Sequence, residues 1–123
     1  MTSIAPWLAV DSAREALAYY QAAFSAVELG RLEHDTGEVV IAHLAIDGAE
    51  FWIQSDIASS PRAGAGVSVR LILKVDDPDA VFARAVAAGA TEVAPITVSH
   101  GWRVGRVVDP CGHHWEIGKR LAT

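Results

Sequence analysis

The chain has 123 residues, 51% of them hydrophobic, enough for one globular domain of average size whose core needs no disulfide. Fifteen acidic residues against ten basic ones give a formal charge of −5, which argues against the clustered Lys and Arg of a nucleic-acid footprint. No apolar run approaches the roughly 20 residues of a membrane-spanning helix. The start lacks a signal-peptide pattern and the single cysteine, Cys111, cannot pair internally, so a soluble, cytoplasmic protein is expected.

Leu8-Ala9-Val10, after Pro6 and Trp7, reads as the end of a short strand. Asp11-Ser12 then offers an N-cap, with Glu15 at the return position of a capping box. Ala16, Leu17, Tyr20, Ala23 and Phe24 recur at helical spacing, which predicts a helix from Ala13 to Phe24 with one buried stripe. Strands are expected at Val27 to Leu32, Glu38 to Ile46 and Glu50 to Gln54. The last two are joined by Asp47-Gly48, a two-residue hairpin signal. Residues 61–66, rich in Pro, Ala and Gly, read as a linker.

The pattern then restarts. Val69 to Val75 alternates like a strand, and Asp76-Asp77-Pro78 caps a helix whose stripe is Val81, Phe82, Ala85 and Val86, closed by Gly89. Strands are expected at Thr91 to Pro95, Trp102 to Val108 and His113 to Ile117, with Asp109-Pro110-Cys111-Gly112 as the turn between the last two. Both halves read β-α-β-β-β. Val10-Asp11 matches Val75-Asp76 at an offset of 65, and Gln54 matches Glu116 at an offset of 62. An α+β fold of two tandem βαβββ repeats is expected, curling as a mixed sheet around a cavity. Repeat one covers about 4–57, the linker 58–66 and repeat two 67–118 of a single domain.

Pro6-Trp7-Leu8-Ala9-Val10-Asp11, Ala18 to Phe24, Val75 to Ala80 and the helix end Arg84 to Ala90 resemble the vicinal oxygen chelate superfamily. So, most specifically, does Asp109-Pro110-Cys111-Gly112-His113-His114-Trp115-Glu116-Ile117. This superfamily holds glyoxalase I, extradiol dioxygenases and bleomycin-resistance proteins, and the chain looks closest to its small PhnB-like branch. The resemblance implies the glyoxalase/bleomycin-resistance fold and a homodimer. In metal-dependent members it implies four ligands, one from the first and one from the fourth strand of each repeat.

Carried onto this chain, those positions fall on Ala5, Gln54, Arg70 and Glu116. Ala5 has no ligand atom and Arg70 is a cation, so only Glu116 and, weakly, Gln54 match. An ion pair of Arg70 with Glu116 is expected where a metal would sit, and neither a cofactor nor a divalent metal is expected. Strand alternation groups Trp7, His43, Trp52, Gln54, Arg70, His114 and Glu116 as lining residues of an aromatic, mixed-polarity pocket. The function expected is metal-free binding of a small aromatic or polar metabolite or antibiotic, with no catalytic residue assigned. The competing reading is a metal-dependent lyase or dioxygenase using Glu116 with His114, His43 or Gln54. A third is a metal-independent enzyme with His43 or Glu116 as base. His113 is expected to hold the turn, Trp115 to pack under a helix, and Trp102 to form a pocket lip or dimer contact.

Overall fold

The computed structural model describes residues 2–64 and 69–122. Residues 65–68, where the linker ends and the second repeat begins, lie outside the described residues. The chain divides into two compact units, Met1–Gly66 and Val67–Thr123. The first runs β1 (Trp7–Val10), α1 (Ala13–Phe24), β2 (Val27–Glu33), β3 (Val39–Ile46), β4 (Ala49–Ser55). The second runs β5 (Arg70–Lys74), α2 (Pro78–Ala88), β6 (Thr91–Ser99), β7 (Trp102–Val108), β8 (His114–Arg120). Each forms a four-stranded mixed sheet of the same topology, β1-β4-β3-β2 and β5-β8-β7-β6, with the first and last strands of the unit parallel. The fold is α+β, built twice on one plan. No helix among the described residues is long and apolar enough to cross a membrane.

In the first unit, Ser12 caps α1 by accepting the Glu15 amide at 3.2 Å, and the Ala13 amide donates to Ser55 Oγ at 2.8 Å, fastening the helix start to β4. The predicted stripe is the buried one. Tyr20 packs edge-on against Phe51 and parallel to Phe24, over Leu8, Val10, Leu44 and Ile53. Asp47 and Gly48 both take positive φ (49° and 86°), as a type I′ hairpin turn requires. That turn pairs Ile46 with Ala49, His43 with Trp52 and Ile41 with Gln54. Helix-facing and open-face residues are thereby fixed for two strands at once. Residues 57–59 and 61–63 are single turns of 3₁₀ helix, where the sequence reads as a plain linker.

In the second unit, Asp77 caps α2 through the Ala80 amide at 3.2 Å, with Pro78 in the first turn. Phe82 and Ala85 are buried against β7 and β8, with Val107, Trp115 and Ile117 beneath. Val86, predicted in the stripe, is exposed, because the buried arc of α2 is only about one residue wide per turn. A second difference is β6, expected to stop at Pro95 but continuing to Ser99. The pairing jumps from Ala94↔Arg106 to Thr97↔Val104, so Pro95 and Ile96 form an irregularity on an edge strand. Proline has no N–H for a ladder, yet an edge strand can bypass it and resume.

Candidate functional site

Helix α1 covers one face of the first sheet and leaves the other to Trp7, Ile41, His43, Trp52, Gln54 and their neighbours. The β1–β4 register places Trp7 opposite Trp52, and the β3–β4 register places His43 on the other side of Trp52. Three rings therefore stand in a row across three strands. His43 and Trp52 are parallel, 2° apart with centroids at 3.7 Å, and Trp52 and Trp7 are 18° apart at 5.8 Å. The Trp7 indole N–H donates to Gln54 Oε1 at 3.0 Å, which fixes the ring over its neighbour. His43 Nε2 lies 2.7 Å from Glu50 Oε1, at ion-pair distance without the geometry of a hydrogen bond, and is buried.

The row continues onto β2, where His43 faces Gly30. A Cβ built on Gly30 meets nothing within 4 Å, so the ring of His43 borders an open slot. That slot belongs to a cleft of about 320 Å³ lined by Trp7, Gly30, Arg31, Leu32, Ile41, His43 and Trp52. Trp7 is 52% exposed and Leu32 57% exposed at its rim, large apolar surfaces left uncovered in the first unit. Arg31 contributes little free charge. A bulge at Leu29 puts Glu28 and Arg31 on one side of β2, and the guanidinium holds both Glu28 oxygens (2.6 and 2.7 Å) and Glu33 (2.9 Å). The Arg31 hydrogen bonds hold the Glu28 carboxyl below the ordinary glutamate pKa. Gly30 is a residue that the sequence reading passed over. A glycine inside an alternating strand is the signal that could have found it.

The equivalent face of the second sheet is charged. Arg70 pairs with His114, Ile72 with Glu116, and Arg106 with Glu116 from the other side. Arg70 Nη1 lies 3.9 Å from Glu116 Oε1, the expected ion pair, formed at a separation beyond hydrogen-bond reach. Arg106, half-buried, has an Nε that is buried without a hydrogen-bond partner. It is the second functional candidate that sequence reading missed, since an arginine on an alternating strand looks like any solvated residue. Trp102 borders an adjoining cleft of about 340 Å³ with Ile72, Ser99, His100, Val104 and Glu116.

The β7–β8 turn is organised around Asp109, to which the His113 backbone amide donates. Asp109 is 3% exposed. Its Oδ1 accepts the amides of Cys111 (2.9 Å) and His113 (3.0 Å), and its Oδ2 accepts the Trp115 indole N–H at 2.8 Å. Trp115 is buried beneath α2 as expected. The run Asp109 to Ile117 is thus a turn device that sets the β8 register and hence the direction in which Glu116 points.

Comparison with known proteins identifies the frame. A model of the glyoxalase-like domain matches residues 7–118. The chain belongs to that family. With it comes membership of the vicinal oxygen chelate superfamily. An uncharacterized protein of Mycobacterium bovis is 38% identical over 95% of this chain and 82% of its own length. Among solved structures, TioX from Micromonospora sp. ML1 is 27% identical with a TM-score of 0.79, covering 98% of this chain and 100% of that one. A gene product of Arabidopsis thaliana is 30% identical with a TM-score of 0.73, covering 94% and 97%.

The metal positions of this glyoxalase-like domain can now be read from register. If Gln54 corresponds to Glu116, the residues opposite them, Ala9 and Ile72, correspond as well. On that pairing Trp7 aligns with Arg70, two residues along from the expected Ala5. Ala5 precedes β1 altogether, because the offset of 65 holds for the helix starts but shortens to 63 at the first strands. The donor set becomes Trp7, Gln54, Arg70 and Glu116. An indole and a guanidinium have no lone pair to give a cation, and the Gln54 oxygen already accepts from Trp7. These residues do not fit a metal. Nor does any group of three His, Cys, Asp or Glu among the described residues have the arrangement to hold one.

Proposed function

We propose that this glyoxalase-like protein is a metal-free binder of a small planar molecule, stacked on the ring row of its first unit. The observation that carries the reading is the row itself. His43, Trp52 and Trp7 stand parallel, and the row ends at Gly30 beside an open cleft of about 320 Å³. A flat ring laid over Gly30 would extend the stack by one member against His43, with Leu32 and Ile41 as apolar neighbours. Each aromatic contact of this kind contributes about 0.5–1.5 kcal/mol beyond area burial. Metabolite or antibiotic in origin, the ligand has the chemistry of a planar, largely apolar ring system.

The test is a titration of flat heteroaromatic compounds followed by tryptophan emission. Saturable quenching is expected, and His43→Ala, which removes the ring the ligand would stack on, should weaken it by roughly 2- to 12-fold, the loss of one ring contact. Absence of saturable quenching across a broad aromatic panel would overturn the reading. The metal-free part is tested separately by purifying the protein in zinc- or nickel-containing buffer and measuring bound metal. Stoichiometric metal surviving dialysis would instead support a lyase or dioxygenase built on Glu116. A homodimer is part of the same proposal, checked by light scattering on the purified protein.

A further inference from the structure

From the second unit we infer that its open face binds a small organic carboxylate between Arg70 and Arg106, with the ligand's apolar body running toward Trp102. The inference is independent of the ring row and rests on a different sheet.

Register places Arg70, Ile72 and Lys74 of β5 beside His114, Glu116, Gly118 and Arg120 of β8, and these beside Trp102, Val104, Arg106 and Val108 of β7. One face thus carries four cations against a single carboxylate, in a chain whose formal charge is −5. Clustering that runs against the net charge creates a local field that draws small anions. Within it, Arg70, Arg106 and Glu116 line one cleft of about 320 Å³ together with Pro95, Thr97 and Val104. Glu116 lies on the strand between the two arginines and neutralises one of them at most. The cleft keeps one positive charge, which suits a monoanion better than a doubly charged phosphate.

Two details point to recognition rather than a solvated surface. Arg106 Nε is buried and unpartnered, a costly state for a charged donor that a carboxylate drawing the guanidinium into a two-pronged contact would relieve. The Pro95–Ile96 irregularity of β6 lies immediately beside Arg106 and borders the same cleft. A neighbouring cleft shares Val104 and Glu116 and adds Ile72, His100 and Trp102. Charge at one end and apolar surface at the other describe an acid with a flat or branched hydrocarbon body.

Benzoate is the probe, and the arginine Nε–H signals in a ¹⁵N-correlated NMR spectrum of the whole protein are the readout. Titration should shift the Arg70 and Arg106 signals along one common saturation curve. Arg106→Gln should weaken binding by about tenfold or more, the loss of a bidentate charged contact. Glu116→Gln should strengthen it several-fold by removing the competing carboxylate. Amide dispersion checks that each variant is folded, and the Glu116→Gln arm carries the test if Arg106→Gln is not. Non-saturating shifts, shifts reproduced by equal chloride, or weakening in Glu116→Gln would each overturn the inference. Inorganic phosphate binding more tightly than benzoate would overturn the carboxylate assignment. None of these arms involves Trp7 or Trp52, so failure here and failure of the stacking site are distinguishable.

Discussion

Removing the Asp109 carboxylate should cost more stability than any other single change in the β7–β8 turn. Asp109 is 3% exposed and serves three donors: two turn amides on Oδ1 and the Trp115 indole on Oδ2, at 2.8–3.0 Å. Hydrogen bonds to a charged group are worth roughly 1.5–3 kcal/mol each. Three such bonds to one carboxylate do not add fully, because burying the charge costs desolvation that alanine avoids. Asp109→Ala leaves three donors without their acceptor at about 1–3 kcal/mol each, less the desolvation it avoids, and should therefore destabilise by about 3–5 kcal/mol. Asp109→Asn keeps the oxygen for the two amides but turns an NH₂ toward the indole N–H, so its cost should be about 1–3 kcal/mol. Urea unfolding monitored by Trp115 and by far-UV signal gives both numbers. A loss under about 1 kcal/mol for Asp109→Ala, or equal losses for the two variants, would refute the reasoning. Because the same turn sets the β8 register, Asp109→Ala should also scatter the Arg70 and Arg106 signals before global unfolding.

Gly30→Val should abolish ligand quenching of tryptophan emission without loss of stability, since its Cβ meets open space and β-branched residues suit strands; preserved quenching would move the ligand away from the slot beside His43. Gly105→Ala should destabilise by about 1–3 kcal/mol, because its Cβ would lie 2.8 Å from the Phe82 ring and 3.0 Å from the Ala94 and Ile96 backbone, and denaturant midpoints measure this. The Asp79 carboxyl is held below its ordinary pKa by hydrogen bonds from the Arg103 guanidinium, at 2.7 Å on both prongs. Its contribution is therefore present near neutral pH and is lost as pH falls through the lowered folded-state pKa. The Tm difference between Asp79→Asn and the parent should accordingly be small at neutral pH and vanish in strong acid; a difference that grows on acidification would contradict it.

Much of the frame is legible in the sequence because its signals are local. Ser12 and Asp77 cap helices within three residues, Asp47-Gly48 needs only its own positive φ values, and a two-residue turn then dictates that His43 faces Trp52. The extension of β6 past Pro95 is less legible, since only the strand's edge position allows a proline to be bypassed. The offset of 65 between repeats holds for the helix starts, whereas the first strands begin 63 residues apart, each closed by a parallel pairing of long range that no nearby residue encodes.

The sequence by itself determined a duplicated βαβββ plan, its helix caps, its hairpin register and which residues share a face, because alternation and capping act over a few residues. Only the tertiary structure decided that three rings stack in one unit where charges gather in the other. It also decided that Gly30 leaves a slot and that Arg106 keeps a buried, unpartnered nitrogen. The Trp7–Trp52 contact and the meeting of Arg70 with Glu116 join strands 40 or more residues apart in the chain, and the slot and the nitrogen depend on what packs around a hairpin strand, which alternation along one strand does not reveal.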